Sequence, residues 1–314
     1  MSQQSAVEYL GHGQTPFFRL RQAPAPADPP AGTRAAFLGV PHDGGATYQP
    51  GARLAPYHLR RVSALVQGFH PTYGVDVFER TAAIDAGNVV FPPFDREAMR
   101  AAVQARVAAL LGRGIVPFLA GGDHSITLPA LRAVQARFGP VAVVHVDAHF
   151  DTSGPEVWGD DFHHGTPFRH ALAEGLIARG QLHQVGIRGP WGSPDEGALG
   201  AGHGARVYDG DAVAERGIKE IAAEIRAALD GRPVYLSFDI DAIDPAYAPG
   251  TGTPVPGGIT SREAIRLLRG LAGVNLIGMD LVEVCPALDH ADMTSNLAVF
   301  LLFEGLALAA VRPL

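Results

Sequence analysis

Residues 141–151 read Val-Ala-Val-Val-His-Val-Asp-Ala-His-Phe-Asp, an apolar run that ends in Asp147, His149 and Asp151. In an extended chain the i, i+2, i+4 spacing puts these three side chains on one face. Two carboxylates and an imidazole at the end of a buried strand desolvate badly with nothing to bind, and a metal is the simplest resolution. Two other places offer the same chemistry. Gly121-Gly122-Asp123-His124 follows the apolar Ile115–Ala120, and its glycines allow a tight turn that aims a side chain back over the sheet. Asp239-x-Asp241 closes the run Val234–Phe238, with Asp244-Pro245 just beyond. A lone D-x-H or D-x-D is weak evidence, but three matched strand ends are strong evidence.

Charge sets the number of ions. Asp147, Asp151, Asp239 and Asp241 bring four negative charges, and His124 and His149 bring two neutral nitrogens. One divalent ion leaves a net negative site, whereas two balance it. Carboxylate-rich, thiolate-free ligation favours a hard ion such as Mn²⁺ over a structural zinc. Paired ions are a known device for making hydroxide at neutral pH.

The elements that must position these residues follow from the apolar pattern. Strands are predicted at Ala35–Val40, Ala82–Asp85, Ile115–Ala120, Val141–Asp147, Gln184–Ile187, Arg206–Tyr208, Val234–Asp239 and Asn275–Leu281. Helices are predicted over 54–66, 96–112, 127–138, 166–178, 214–229, 261–270 and 295–310. Such alternation argues for an α/β fold, a mostly parallel sheet with helices on both faces. In that architecture the carboxyl ends of the strands converge on one edge, where a site forms. Residues 1–33 read as an irregular amino-terminal arm, proline-rich over 24–30 and preferred as a loose tail to an arm lying over a neighbouring subunit; 34–314 read as one domain.

Composition narrows the function. The formal net charge is −7 with no run of Lys or Arg, which argues against nucleic acid and anionic membranes as partners. One cysteine, Cys285, rules out an intrachain disulfide and fits a reducing, cytoplasmic setting. No basic region followed by an apolar stretch opens the chain, so no signal peptide is expected. The apolar run Leu297–Phe303 is too short to span a bilayer and reads as a buried helix.

With these residues in view, the chain resembles the ureohydrolases of the arginase–agmatinase family. The matching stretches are Gly-Gly-Asp-His-Ser (121–125), His-Val-Asp-Ala-His-Phe-Asp (145–151), His-Gly-Thr-Pro-Phe (164–168), Ser-Phe-Asp-Ile-Asp-Ala-Ile-Asp-Pro (237–245), Ala-Pro-Gly-Thr-Gly-Thr-Pro (248–254) and Asp-Leu-Val-Glu-Val-Cys-Pro (280–286). In style it is nearer to bacterial agmatinases, guanidinobutyrases and proclavaminate amidinohydrolases than to arginases proper. The resemblance implies a three-layer α/β/α arginase-like fold, two Mn²⁺ per chain, hydrolysis of a guanidino group to urea and an amine, and a homo-oligomer, trimer or hexamer. By motif, His124, Asp147, Asp151 and Asp239 hold or bridge one ion, and His149 and Asp241 complete the second. His42 and Cys285 depart from the usual pattern, and His42 leaves substrate identity open.

Guanidinium is cationic, resonance-stabilised and a poor electrophile, so its hydrolysis needs hydroxide, an anion to seat the cation and an acid for the departing amine. Glu283, emerging after Asn275–Leu281, is the candidate anion, able to take two parallel N–H bonds. His164 is the candidate acid, preferred over His163 on the motif match. His145, inside the strand, reads as a core histidine. For the substrate tail, Arg53 suits a carboxylate, Trp158 an aliphatic linker, and Glu156, Asp160 or Asp161 an amine. Agmatine is the expected substrate, with a guanidino acid the alternative. A single-zinc deacetylase-like enzyme and a non-catalytic binding module of the same fold are the readings from other classes.

Overall fold

The computed structural model describes residues 15–25 and 27–312. Its strands are β1 (Arg21–Gln22), β2 (Ala35–Gly39), β3 (Phe69–His70), β4 (Val75–Asp76), β5 (Ile84–Asn88), β6 (Val116–Ala120), β7 (Val141–Val146), β8 (Ile177–Val185), β9 (Arg206–Tyr208), β10 (Pro233–Asp239) and β11 (Asn275–Val282). Nine of them form one sheet in the order β1-β5-β2-β6-β11-β10-β7-β8-β9. Every neighbouring pair in it is parallel. β3 and β4 make a separate antiparallel ribbon.

The central strands are buried on both faces, as a parallel sheet between helices requires. Alternate residues of β7 serve opposite cores: Ala142, Val144 and Val146 pack in one, Val141 and Val143 in the other. The first core is closed by helices Ala55–Val62, Ile218–Leu229, Ser261–Gly270 and Met293–Val311. The second is closed by Arg96–Gly112, Thr127–Phe138 and Pro167–Ala173. This is the expected three-layer α/β/α arrangement. The apolar helix Met293–Val311 lies inside the fold, with Glu304 in the core held by Arg269 at 2.6 Å and His70 at 3.1 Å.

Several segments differ from expectation, among them β8, predicted over Gln184–Ile187 and found over Ile177–Val185. Residues 15–25 are not loose: Phe17 and Phe18 are fully buried, with ring centroids 5.5 and 5.0 Å from Phe37. The Phe17 N–H bonds Asp85 at 2.9 Å, and β1 pairs with the sheet edge at β5. The helix predicted over 166–178 ends at Ala173, because β8 begins at Ile177. The helix predicted over 214–229 breaks at Gly217, whose φ of 77° and ψ of 144° no helix holds.

Candidate metal centre and cleft

Four of the strands that line up in the middle of the sheet deliver the chemistry at one edge. β6 ends at Gly121-Gly122, both with positive φ, and a Cβ on Gly122 would lie 2.8 Å from the Val40 carbonyl oxygen. Only glycine fits there, and the turn delivers His124 into the site. β7 delivers Asp147, His149 and Asp151; β10 delivers Asp239 and Asp241; β11 delivers Glu283. Asp151 (φ 53°) and Glu283 (φ 63°) are both in the left-handed region, a conformation held by surroundings rather than by preference.

The six candidate ligands converge. Around His124 Nδ1 stand Asp151 Oδ2 at 2.9 Å, Asp147 Oδ2 at 3.0 Å and Asp239 Oδ2 at 3.1 Å. His149 Nδ1 lies 3.1 Å from Asp241 Oδ2 and 3.4 Å from Asp147 Oδ1. Asp147 therefore faces both groups, one oxygen to each. His124 Nδ1 is buried and finds no hydrogen-bond geometry despite three carboxylates around it. Its other nitrogen meets Ser237 Oγ at 2.8 Å, and that hydroxyl donates to Asp280 Oδ1 at 2.7 Å. The Ser237 oxygen thus accepts from His124 Nε2–H, so Nδ1 is the nitrogen free for a cation. Burial pulls His124 down, but Asp151, Asp147 and Asp239 raise it well above its ordinary value, so without a cation a proton stands in that place. Such a donor set fits a cation at its centre.

Electrostatics says the same. Burial, then Asp241 and Asp147, push Asp239 well above the usual carboxylate range, and burial, then Asp147, raise Asp151. For Asp147 burial pulls upward, but His145 and the other histidines hold it well below. Protein groups alone thus favour the charged form at Asp147 and oppose it at Asp151 and Asp239, whereas divalent cations between them would favour the charged form at each.

Beside the centre runs a cleft of about 220 Å³ lined by His149, Asp151, Asp239, Asp241, His164, Thr47, Ser153, Trp158, Glu196 and Thr253, among others. Larger hollows elsewhere on the surface contain none of the ligands. His164 Nδ1 donates to Glu283 Oε1 at 2.9 Å, and its Nε2 lies 2.7 Å from Thr47 Oγ1 and accepts the Thr47 backbone N–H at 3.3 Å. Burial pulls His164 down, but the charge and hydrogen bond of Glu283 raise it to about 9. Glu283 Oε1 also accepts the His124 backbone N–H at 2.8 Å. With that oxygen engaged and the residue 2% exposed, the expected pair of parallel bonds to a guanidinium is not open to it.

The predicted tail-binding residues divide. Trp158 lines the cleft and is 59% exposed. Arg53 does not line it: its guanidinium is bound by Asp43, whose other oxygen takes the Gly51 N–H at 2.8 Å. Asp161 lies outside as well, its carbonyl taken by His170 Nε2 at 2.6 Å, and Asp160 pairs with Arg96 at 2.7 Å. His42 is buried edge-on to Phe91 and does not reach the cleft. Two residues with no sequence signal matter instead. Glu196 Oε1 accepts from Ser153 Oγ and the Gly192 N–H, both at 3.1 Å, tying the loop after Asp151 to helix Asp195–Gly202. Arg188 donates to the carbonyls of Asp241 at 2.7 Å, Ala242 at 3.1 Å and Val255 at 2.6 Å, pinning the segment that carries Thr253.

A parallel α/β/α sheet with a His/Asp cluster at its strand-end edge fits the metal-dependent hydrolases. The chain belongs to the arginase family, the ureohydrolases: the family model described as Arginase family matches residues 33–307. It is 44% identical to proclavaminate amidinohydrolase of Streptomyces clavuligerus over 87% of each chain. The solved structure of that protein superposes with a TM-score of 0.89, covering 95% of this chain and 97% of the other. The mitochondrial agmatinase of Gallus gallus is 40% identical, over 88% of this chain and 81% of that one. The guanidinobutyrase of Pseudomonas aeruginosa is 39% identical over 95% of each.

Proposed function

We propose that the protein is a dimanganese, cytoplasmic ureohydrolase that cleaves agmatine to urea and putrescine. His124, Asp147, Asp151 and Asp239 would hold one ion, and His149, Asp241 and the shared aspartates the second. When bound, the ions supply hydroxide at neutral pH. The residues supply the rest. The aspartates at the cleft floor and Glu283 behind it make an anionic surround for the guanidinium. His164 keeps its proton at neutral pH because Glu283 faces Nδ1. As the C–N bond breaks, the His164 imidazolium would protonate the departing nitrogen, which leaves as the amine. Thr253 Oγ1, 3.2 Å from Asp241 Oδ2, steadies one side of the floor.

One observation supports the amine tail: the cleft wall carries the Glu196 carboxylate and, among the described residues, no Lys or Arg. A cationic tail gains from such a wall, and a carboxylate tail meets no Lys or Arg there. A guanidino acid is the second reading, favoured by the likeness to the proclavaminate amidinohydrolase and the guanidinobutyrase. A urea-release screen with Mn²⁺ across agmatine, arginine, guanidinobutyrate, guanidinopropionate and free guanidine separates them. The expected result is highest kcat/KM on agmatine, with Glu196→Gln raising KM for agmatine at least tenfold. Higher kcat/KM on guanidinobutyrate overturns the amine reading.

A further inference from the structure

His145 and Gln184 are both fully buried, on adjacent strands β7 and β8, and sit outside the ligand set. Gln184 Nε2 lies 3.0 Å from His145 Nδ1 and 3.1 Å from the Phe150 carbonyl oxygen. A carbonyl can only accept, so the amide nitrogen of Gln184 is on that side and its two protons go to Phe150 and to His145. The assignment then runs one way. His145 Nδ1 accepts, so Nε2 carries the proton, and Nε2 lies 2.7 Å from Asp147 Oδ2. The Phe168 ring, 3.9 Å from the imidazole by centroids, covers its face. Gln184 Oε1 is left without a partner.

This arrangement acts on the metal centre from two directions. Asp147 Oδ2 is the oxygen aimed at the His124 group; one of its lone pairs is taken by His145, which fixes the rotation of the carboxylate and sends Oδ1 toward His149. Phe150 stands between two ligands, His149 and Asp151, so the same amide also anchors the backbone on which Asp151 adopts its left-handed φ. We propose that Gln184 and His145 are positioning residues that preorganise Asp147 and the 149–151 turn, and so set how tightly this chain holds its cations. The proposal rests on the metal-centre reading above.

The test is Mn²⁺ titration of metal-stripped full-length protein, with free Mn²⁺ read by electron paramagnetic resonance. Thermal unfolding of the metal-free forms serves as the control for a merely structural role. Outer partners of metal ligands are typically worth about 10–100-fold in affinity. His145→Leu and Gln184→Met should weaken Mn²⁺ binding by that order at unchanged metal-free Tm. His145→Gln, which restores an N–H toward Asp147, should recover most of it. If His145→Leu fails to fold, Gln184→Met decides alone. Wild-type affinity in Gln184→Met, or no recovery in His145→Gln when His145→Leu is folded, overturns the proposal. A wild-type chain that takes up no Mn²⁺ overturns the metal reading itself, and the proposal with it.

Discussion

His163 and His164 are neighbours in the chain with opposite fates. Burial and the adjacent His164 charge push His163 down to about 4, whereas Glu283 raises His164 to about 9 against its burial. Only His164 holds a proton to give at neutral pH. In metal-free protein, ring titration by nuclear magnetic resonance should show the two midpoints on either side of the ordinary histidine value. Glu283→Gln should move the His164 midpoint down, since it removes the charge that raises it. By linkage, the stabilisation from His164 is complete below about 6.5 and is lost as pH rises through about 9. His164→Asn should lower kcat at least 100-fold with little change in KM, and His163→Asn should do much less. The reverse ranking would exchange their roles. At this scale the ligands were legible, because D-x-H-x-D and D-x-D encode a shared face within one strand. Gln184, Glu196 and the use of His145 were not legible, because each works through a partner on another strand or loop. Arg53 misled because Asp43, ten positions earlier, captures it.

At the scale of the element, the turn after β6 is the most exacting piece. Gly122 has a φ of 91° and its missing Cβ leaves room for the Val40 carbonyl. Gly122→Ala should destabilise the metal-free protein by about 1–3 kcal/mol in urea unfolding, the usual range for a forced backbone conformation. Because His124 follows directly, it should also weaken Mn²⁺ uptake; a variant matching wild type in both would show that the turn has slack. Strand–helix alternation was legible in β2, β6, β7, β9, β10 and β11, where apolar runs are short and bounded. The start of β8 is masked: Ile177-Ala-Arg-Gly-Gln carries polar residues, and only the last four residues of the strand are continuously buried. The split at Gly217 was hidden by helix-forming residues on both sides of one glycine.

For the molecule as a whole, the first described residues are structural. Phe18 packs on Phe37 and Phe78, with its backbone N–H on Ser63 at 2.8 Å. Arg60 lies over Phe17 and forms a bidentate pair with Asp85, so one buried carboxylate fastens the segment to both β5 and helix Ala55–Val62. Phe18→Ala should lose about 3–5 kcal/mol of stability, the range for a deleted core phenylalanine, read from the urea midpoint. A loss below about 1 kcal/mol would mean that the segment is peripheral. The sequence hid this because prolines at 24–30 dominate the local pattern, while Phe17 and Phe18 make no strand-like or helix-like run.

The sheet ends in two very short strands, β1 with two residues and β9 with three. Short margins offer little unpaired ladder for a second chain to extend. The five-residue β5 stands directly inside β1. A chain trimmed past Gln22 would bare the β5 ladder at Ile84 and Asp85 and lose Phe17 and Phe18 from the core, so clumping with its own copies should follow.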